Sequence, residues 1–255
     1  MDGVLLKTEN LSVAYEEEIA LSDVSFEMTD GEILCIVGES GSGKSTLIKA
    51  IHGMNPLNIR NGRILFEGCD LTALSKADRR KRMGTEIALI QQDTGASFNP
   101  IRKLNVQFKE ALTSHGMPYD EDRIADMLGR IGLKDGKALL KNRPYELSGG
   151  MLQRIAITAA MLFEPKLLLC DEATSALDTT TAGTVVNELL KIRDTNNTAI
   201  LMVTHHLGIA KQMADHIGIM KEGRLIEYGE REKIFESPEQ DYTKQLMKDV
   251  PRLKK

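Results

Sequence analysis

Hydrophobic and polar residues follow two different periods along the chain, and their order predicts a mixed α/β protein. Between residues 5 and 26, apolar and polar positions alternate on both sides of an acidic turn at 16–18, which predicts an antiparallel β-hairpin. Short, mostly apolar runs are typical of strands that are buried in a sheet. They occupy residues 33–37, 87–90, 167–170, 199–203 and 217–220. A further strand at 224–228 precedes a short helical tail.

The pattern changes to helical spacing between residues 94 and 163. It predicts helices at 106–115 and 120–131, and a third helix that begins after Ser148. We therefore expect one domain with three parts. They are a core with a β-subdomain (1–92 and 164–230), an inserted helical subdomain (93–163) and a tail (231–255).

Two dipeptides in the first third of the chain are turn signals. Asn61-Gly62 predicts a turn before a short strand at 63–66, and Glu67-Gly68 predicts the turn that ends this strand. A basic run follows at 76–82 on a probable helix. It could contact anionic lipid, but an ordinary solvated face is favoured because Asp78 interrupts it.

A glycine-rich loop follows the strand at 33–37 and precedes a helical run, and it fits the phosphate-binding pattern G-x-x-x-x-G-K-S/T. The loop consists of Gly38, Glu39, Ser40, Gly41, Ser42, Gly43, Lys44, Ser45 and Thr46. Backbone N–H groups and the helix N-terminus would bind phosphate oxygens, Lys44 would reach the β- and γ-phosphates, and Ser45 would bind Mg²⁺. A Gly-Ser turn with an incidental lysine is the alternative, and the flanking strand and helix disfavour it.

Polar side chains follow three of the predicted buried strands. Gln92 follows the strand at 87–90, Asp171 and Glu172 follow 167–170, and His205 follows 199–203. Ligands bind at the carboxyl ends of strands in α/β sheets, so these side chains are expected near the loop. Two carboxylates beside a phosphate site cost free energy through charge repulsion and burial unless they bind a cation or transfer a proton.

Two further features have both a plain and a functional interpretation. Ser148 is a natural helix N-cap, and Gly149 and Gly150 leave the first N–H groups of its helix open, which fits either a simple cap or a second anion site. Tyr15, upstream of the loop, could stack on adenine. The residue pattern alone favours an ordinary edge-strand tyrosine.

Composition and charge narrow the classes of function. The chain has 255 residues, a formal net charge of -4 and a pI of about 5.8, so it lacks the basic surface that nucleic-acid binding requires. Its three cysteines are odd in number and scattered, which favours reduced thiols over disulfides. No apolar run approaches the roughly 18 residues that a bilayer helix needs, and no signal segment is expected at the N-terminus. A membrane role would therefore require another chain to supply the span.

Three motifs in this order together resemble the ATP-binding subunit of ABC transporters over nearly the whole chain. They are LSGGMLQR at 147–154, LLLCDEATSALD at 167–178 and VTHH at 203–206. The stretches QQDTGASFNP at 91–100 and SPEQDYT at 237–243 are most similar to the dipeptide, oligopeptide and nickel import ATPases. The resemblance implies a P-loop NTPase (RecA-like) core with an N-terminal antiparallel β-subdomain and an inserted α-helical subdomain.

The resemblance also implies roles within one chain, with ATP and Mg²⁺ as cofactors. Tyr15 would stack on adenine, which reverses the interpretation from the residue pattern alone. Gln92 would ligate Mg²⁺ and sense the attacking water, and Asp171 would hold Mg²⁺. Glu172 would be the general base, and His205 would contact the γ-phosphate.

Further implications concern partners. Ser148, Gly149 and Gly150 would bind the γ-phosphate held by a second ABC ATPase subunit in a head-to-tail dimer, with Asp178 at the seam. We expect this second subunit to be a different chain. Two transmembrane permease subunits and an extracellular substrate-binding protein would complete an importer, and this chain would lie on the cytoplasmic face of the membrane.

Two residues depart from the family pattern. His206 stands where relatives usually have Asp, and Ala173 stands where they usually have Pro. No cysteine follows Cys170, which leans towards the nickel or metal-chelate branch over peptide importers. The alternative is an ATPase subunit of a soluble, non-transport assembly such as the carbon-phosphorus lyase complex.

Overall fold

The computed structural model describes residues 3–54, 57–174 and 177–248. Its strands are β1 (Val4–Tyr15), β2 (Glu18–Thr29), β3 (Ile33–Val37), β4 (Leu57–Phe66), β5 (Cys69–Asp70), β6 (Ile87–Ile90), β7 (Leu167–Asp171), β8 (Ala199–Thr204), β9 (His216–Lys221) and β10 (Arg224–Glu230). Its helices are α1 (Lys44–His52), α2 (Lys76–Arg82), α3 (Leu104–Ser114), α4 (Glu121–Arg130), α5 (Gly136–Leu139), α6 (Gly149–Ala160), α7 (Thr179–Asn196), α8 (Leu207–Met213), α9 (Arg231–Glu236) and α10 (Asp241–Lys248).

The predicted hairpin is present as β1 and β2, which pair antiparallel along their length. With β4 and β5 they form a sheet of order β2-β1-β4-β5 in the part of the chain that the structure describes. Every second residue of β2 from Val24 to Met28 is buried, and these residues share a core with Leu6, Leu11 and Val13 of β1. This alternation is the pattern expected of a sheet that packs on a core through one face.

The second sheet has the order β10-β9-β3-β8-β7-β6, and its strands from β9 to β6 run parallel. Every residue of β3, β7 and β8 is buried, as the continuous apolar runs predicted. Successive residues of β3 enter different cores. Leu34 and Ile36 pack towards the first sheet, whereas Ile33, Cys35 and Val37 pack in the core that includes residues of α6, α7 and α8. The strand before the phosphate loop is therefore fixed from both faces.

The helices between β6 and β7 have a small core of their own. Leu104, Phe108, Ile124, Leu128 and Ile155 belong to it, and they come from α3, α4 and α6. Polar caps set where these helices begin: the carboxylate of Asp120 accepts the Arg123 N–H of α4 (3.0 Å), and the Ser148 hydroxyl accepts the Met151 N–H of α6 (3.3 Å). The subdomain boundaries proposed from the sequence remain predictions.

The prediction of a turn at Asn61-Gly62 was wrong. Both residues lie inside β4, where Asn10 and Leu11 of β1 stand opposite Gly62 alone, so the site is a β-bulge. Gly62 has a left-handed backbone (φ 86°), and a Cβ placed there would lie 2.3 Å from the Glu9 carbonyl oxygen. A turn and a bulge both favour Gly because both need a left-handed backbone. Only the extent of the paired strands distinguishes the two structures.

Among the described residues, no helix combines the length and the apolar character that crossing a bilayer requires. The cysteines Cys35, Cys69 and Cys170 are free thiols, and Cys35 and Cys170 are buried.

The bulge yields a stability prediction. Gly62→Ala should destabilise the protein more than Gly68→Ala, because both positions are left-handed but a Cβ at Gly68 meets nothing within 4 Å. We expect about 1–2 kcal/mol for Gly68→Ala from backbone conformation alone, and a larger loss for Gly62→Ala from the added clash with backbone. Urea unfolding of both variants measures the difference. Equal losses would contradict the assignment of a bulge.

Candidate functional site

The glycine-rich loop lies between β3 and α1, and the neighbouring elements clamp it. Gly43 has a left-handed backbone (φ 101°), and a Cβ there would lie 3.0 Å from the Ala20 carbonyl oxygen of β2. The Gly223 N–H of the β9–β10 turn donates to the Ser42 carbonyl (3.0 Å). Helix α1 begins at Lys44 without a side-chain cap, so the start of the helix offers its N–H groups to an anion.

Lys44 lies across its own loop and is 5% exposed. Its ammonium donates to the carbonyls of Gly38 (2.8 Å) and Glu39 (2.6 Å) and contacts the Ser42 hydroxyl (3.4 Å). Burial lowers the pKa of Lys44, and the nearby carboxylates, Glu172 above all, oppose that change. Phosphate oxygens would compete with the two carbonyls for this ammonium.

Ser45 and Asp171 form the second part of the site. The Ser45 hydroxyl donates to Asp171 Oδ1 at 2.7 Å and so joins the start of α1 to the end of β7. Burial raises the pKa of the Asp171 carboxyl, although the hydrogen bond from Ser45 acts in the opposite direction. Two oxygen donors of the kind that Mg²⁺ prefers therefore lie together beside the loop.

Glu172 is held between two of the side chains that the sequence singled out. Its Oε1 lies 3.1 Å from His205 Nδ1, and its Oε2 accepts a hydrogen bond from Gln92 Nε2 at 3.2 Å. The backbone of Glu172 is left-handed (φ 50°), and its N–H donates to the Val203 carbonyl at 3.0 Å. Since β6, β7 and β8 are neighbours, their carboxyl ends bring Gln92, Glu172 and His205 into contact.

The two departures from the family pattern lie directly beside this cluster. The His206 ring lies 4.1 Å from the His205 ring, and burial, assisted by His205, lowers the pKa of His206. Ala173 is buried, and its carbonyl accepts a hydrogen bond from the Gln153 side-chain amide of α6. Gln153 is itself fully buried and connects the helical subdomain to the residue after Glu172. Gln153 belongs to the LSGGMLQR motif, and no contact with the site was expected for it from the sequence.

Tyr15 lies at the end of β1, close to the start of α1. Its hydroxyl is 3.5 Å from the Thr46 hydroxyl, so the ring is at the edge of the loop. This position is compatible with an adenine contact, which stays a prediction.

Within the described ranges, no hydrogen bond joins the phosphate loop to Ser148, Gly149, Gly150 or Asp178. A Cβ at Gly149 would meet nothing within 4 Å, so the first turn of α6 is open. Asp178 caps α7, where it accepts the Thr181 N–H (3.0 Å) and the Thr181 hydroxyl (2.6 Å). Ser175 and Ala176, from the same motif, lie outside the described residues.

One contact with the loop was not anticipated. The Glu39 N–H donates to the Tyr242 hydroxyl of α10 at 3.4 Å. The two residues are 203 positions apart, and the only signal was that Tyr242 belongs to the SPEQDYT stretch.

No group of three or more His, Cys, Asp or Glu with metal-binding geometry occurs in the ranges that the structure describes. The oxygens of Ser45 and Asp171 are the candidate protein ligands, which suits Mg²⁺ because this ion commonly uses one or two protein groups with phosphates and water.

The ABC transporter family model matches residues 21–175. The chain is 38% identical over 249 residues to the metal-staphylopine import system ATP-binding protein CntD of Staphylococcus aureus strain Mu50, covering 95% of this chain and 92% of that protein. It is 36% identical over 256 residues to the dipeptide transport ATP-binding protein DppD of Escherichia coli K12, covering 97% of this chain and 78% of that protein.

Solved structures agree with the fold. The ATP-binding cassette MJ0796, in a dimeric post-hydrolysis state bound to ADP and Pi, matches with a TM-score of 0.80 and 25% identity over 89% of this chain and 99% of its own. CbiO1 of Clostridium perfringens, part of the ABC transporter complex cbiONQ, matches with a TM-score of 0.77 and 26% identity over 98% and 97%. The predicted P-loop NTPase fold is confirmed. The chain therefore belongs to the ABC transporter family and carries its ATP-binding domain.

Proposed function

We propose that this chain is the ATP-hydrolysing subunit of an importer for peptides, nickel or metal chelates. The main support is the set of contacts beside the phosphate loop. Glu172 contacts both Gln92 and His205, and its neighbour Asp171 contacts Ser45 of the loop. Relatives named for dipeptide and metal-staphylopine import support the transport role. The chain would act on the cytoplasmic face of the membrane, with two permease subunits and, through them, an extracellular substrate-binding protein.

The loop would hold ATP and Mg²⁺ together. Lys44 would donate to the β- and γ-phosphates in place of the carbonyls of Gly38 and Glu39. Ser45 and Asp171 would hold Mg²⁺, with Gln92 as a further ligand. When bound, Mg²⁺ neutralises charge that develops on the phosphates. Tyr15 would stack on adenine.

Glu172 would act as general base. Its carboxylate would take a proton from the water that attacks the γ-phosphate, while the Gln92 amide fixes Oε2 and the His205 imidazole fixes Oε1. His205 is 47% exposed, and its imidazole would also contact the γ-phosphate. The left-handed backbone at Glu172 is the kind of local strain that functional sites retain.

A second ABC ATPase subunit would complete the site, and we expect a different chain in a head-to-tail dimer. The open first turn of α6 at Ser148, Gly149 and Gly150 would bind the γ-phosphate of the nucleotide on that subunit, with Asp178 at the seam. The dimeric state of MJ0796 with ADP and Pi supports this arrangement. ATP would then favour the closed dimer, and hydrolysis would remove the shared phosphate and permit opening.

The alternative is an ATPase subunit of a soluble, non-transport assembly. The names of the relatives disfavour it, because they describe import systems. Purification from the native membrane distinguishes the two functions: two polytopic subunits should copurify with an importer ATPase, and a soluble assembly without them would refute transport.

Replacement of the general base gives the main catalytic prediction. Glu172→Gln should retain ATP binding and lower steady-state hydrolysis by about 10²-fold or more, because the amide cannot accept the proton from water. The measurements are nucleotide affinity by calorimetry and phosphate release by the complex.

Glu164→Gln is the matched control. Glu164 has the same left-handed backbone (φ 51°, against 50° for Glu172), but its carboxylate pairs with Arg123 in the helical subdomain. This variant should hydrolyse ATP at the wild-type rate. Wild-type turnover in Glu172→Gln would refute the assigned base.

Asp171 gives a pH-dependent stability prediction. Its pKa is raised in the folded protein, so folding disfavours its ionised form, and stability falls as the pH rises from the unfolded pKa through the folded one. Asp171→Asn should therefore increase the free energy of unfolding of the nucleotide-free protein at pH 7, by about 0.5–2 kcal/mol, while removing Mg²⁺-dependent ATP binding. The gain should shrink at about pH 4, where the wild-type carboxyl approaches neutrality.

Chemical unfolding at both pH values tests this sign. Asp178→Asn is the opposite control, because hydrogen bonds from Thr181 lower the pKa of Asp178 and its ionised form is favoured by folding. It should lose stability at pH 7. A loss of stability in Asp171→Asn at pH 7 would contradict the account of the buried carboxylate.

A further inference from the structure

Both backbone polar groups of Glu39, a residue of the phosphate loop, form hydrogen bonds with side chains. Its carbonyl accepts the Lys44 ammonium at 2.6 Å, and its N–H donates to the Tyr242 hydroxyl at 3.4 Å. We propose that Tyr242 is a positioning residue for the phosphate loop, through which the C-terminal helix α10 sets the affinity for nucleotide. This proposal rests on the function proposed above and deepens it.

The segment that leads into α10 is fixed to the core. We name residues 237–243 the C-terminal strap, which includes the first three residues of α10. The Glu227 carboxylate of β10 accepts the backbone N–H groups of Glu239 (2.7 Å) and Gln240 (3.1 Å), and Lys233 forms an ion pair with Glu239 (2.7 Å). Charge-assisted hydrogen bonds to two successive N–H groups fix the direction in which the strap approaches the loop.

The side chain of Tyr242 is also held at its ring. The Lys221 ammonium, at the end of β9, lies 4.9 Å from the ring centroid, within the range of a cation–π contact. The next residue, Thr243, is fully buried. Burial is the largest influence on the Tyr242 phenol and raises its pKa, so the hydroxyl keeps its proton at neutral pH.

These contacts form a continuous connection from the strap to the group that would bind phosphate. Glu227 holds the strap, the strap presents Tyr242, Tyr242 accepts from Glu39, and the Glu39 carbonyl holds Lys44. A loop that is ordered before the ligand arrives loses less conformational entropy on binding. Loss of the Tyr242 hydroxyl should therefore weaken nucleotide binding, whereas the Glu172 cluster is untouched and the catalytic step should change little.

Tyr242→Phe removes only the hydroxyl and keeps the ring on Lys221. We expect the Kd for ATP, measured by calorimetry in EDTA to prevent hydrolysis, to rise about three- to tenfold, as for loss of one hydrogen bond. In the assembled transporter KM should rise by a similar factor, with kcat within about twofold of wild type. Amide hydrogen exchange over residues 33–47 of the nucleotide-free chain should become faster.

Tyr228→Phe is the matched control. The Tyr228 hydroxyl donates to the Glu27 carbonyl at 2.8 Å, between β10 and β2, so the same chemical change occurs away from the loop. Its nucleotide affinity should equal that of the wild type. Glu227→Ala removes the carboxylate that holds the strap, and it should weaken nucleotide affinity in the same way as Tyr242→Phe. If both residues act through the same contact, the double variant should lose no more affinity than the weaker-binding single variant.

The outcomes separate this proposal from the proposed function. A wild-type chain that binds ATP, together with unchanged affinity and unchanged exchange in Tyr242→Phe, overturns the role of Tyr242 alone. Equal losses in Tyr242→Phe and Tyr228→Phe also overturn it. A wild-type chain that binds no nucleotide overturns the proposed function and, with it, this role.

Discussion

Two adjacent carboxylates lie beside a loop that is built to bind phosphate, and the rest of the site depends on how their charge is balanced. Asp171 and Glu172 would repel each other and an anionic ligand if nothing compensated them. In the structure Ser45 donates to Asp171, Gln92 donates to Glu172, and His205 contacts Glu172 on its other oxygen. Both carboxylates also favour the charged form of Lys44 and so oppose the lowering of its pKa by burial. Bound Mg²⁺ would balance the carboxylates, and the phosphates of ATP would pair with Lys44, which is why we propose that these charges exist for nucleotide chemistry.

The sheet order explains how residues from distant parts of the chain meet. Parallel strands β6, β7 and β8 are neighbours, so the residues after each of them lie at one edge, and β3 delivers the loop to the same edge. This much could be predicted from the sequence, because continuous apolar runs predict buried parallel strands and polar residues at their ends predict a ligand site. The P-loop NTPase fold, which the family resemblance implied, was confirmed by solved structures of ATP-binding cassettes. The roles of the site residues stay predictions.

Other features could not be predicted because they depend on tertiary pairing. Asn61-Gly62 has the composition of a turn, but the partner strand β1 extends past it, so it is a bulge. The contact of Gln153 with Ala173 joins a helix to a strand end, and that of Tyr242 with Glu39 joins residues 203 positions apart. Local patterns carry no information about such distances. For Tyr15, the local pattern fits an ordinary strand residue, whereas the family resemblance implied a place beside the nucleotide. In the structure its hydroxyl lies 3.5 Å from the Thr46 hydroxyl of the loop.

The open start of α6 is the reason why we propose that one chain supplies only half of each nucleotide site. Ser148 caps this helix, Gly149 leaves it accessible, and neither is hydrogen-bonded to the loop of its own chain in the described ranges. The most direct test of the account is the rate of ATP hydrolysis per molecule of this chain at saturating Mg²⁺ and ATP, measured while a second ATPase subunit is titrated. We predict that the rate of ATP hydrolysis rises with the concentration of the second subunit and then saturates. A full rate that stays constant from nanomolar to micromolar concentrations of this chain alone would contradict it, because a single chain would then contain a complete site.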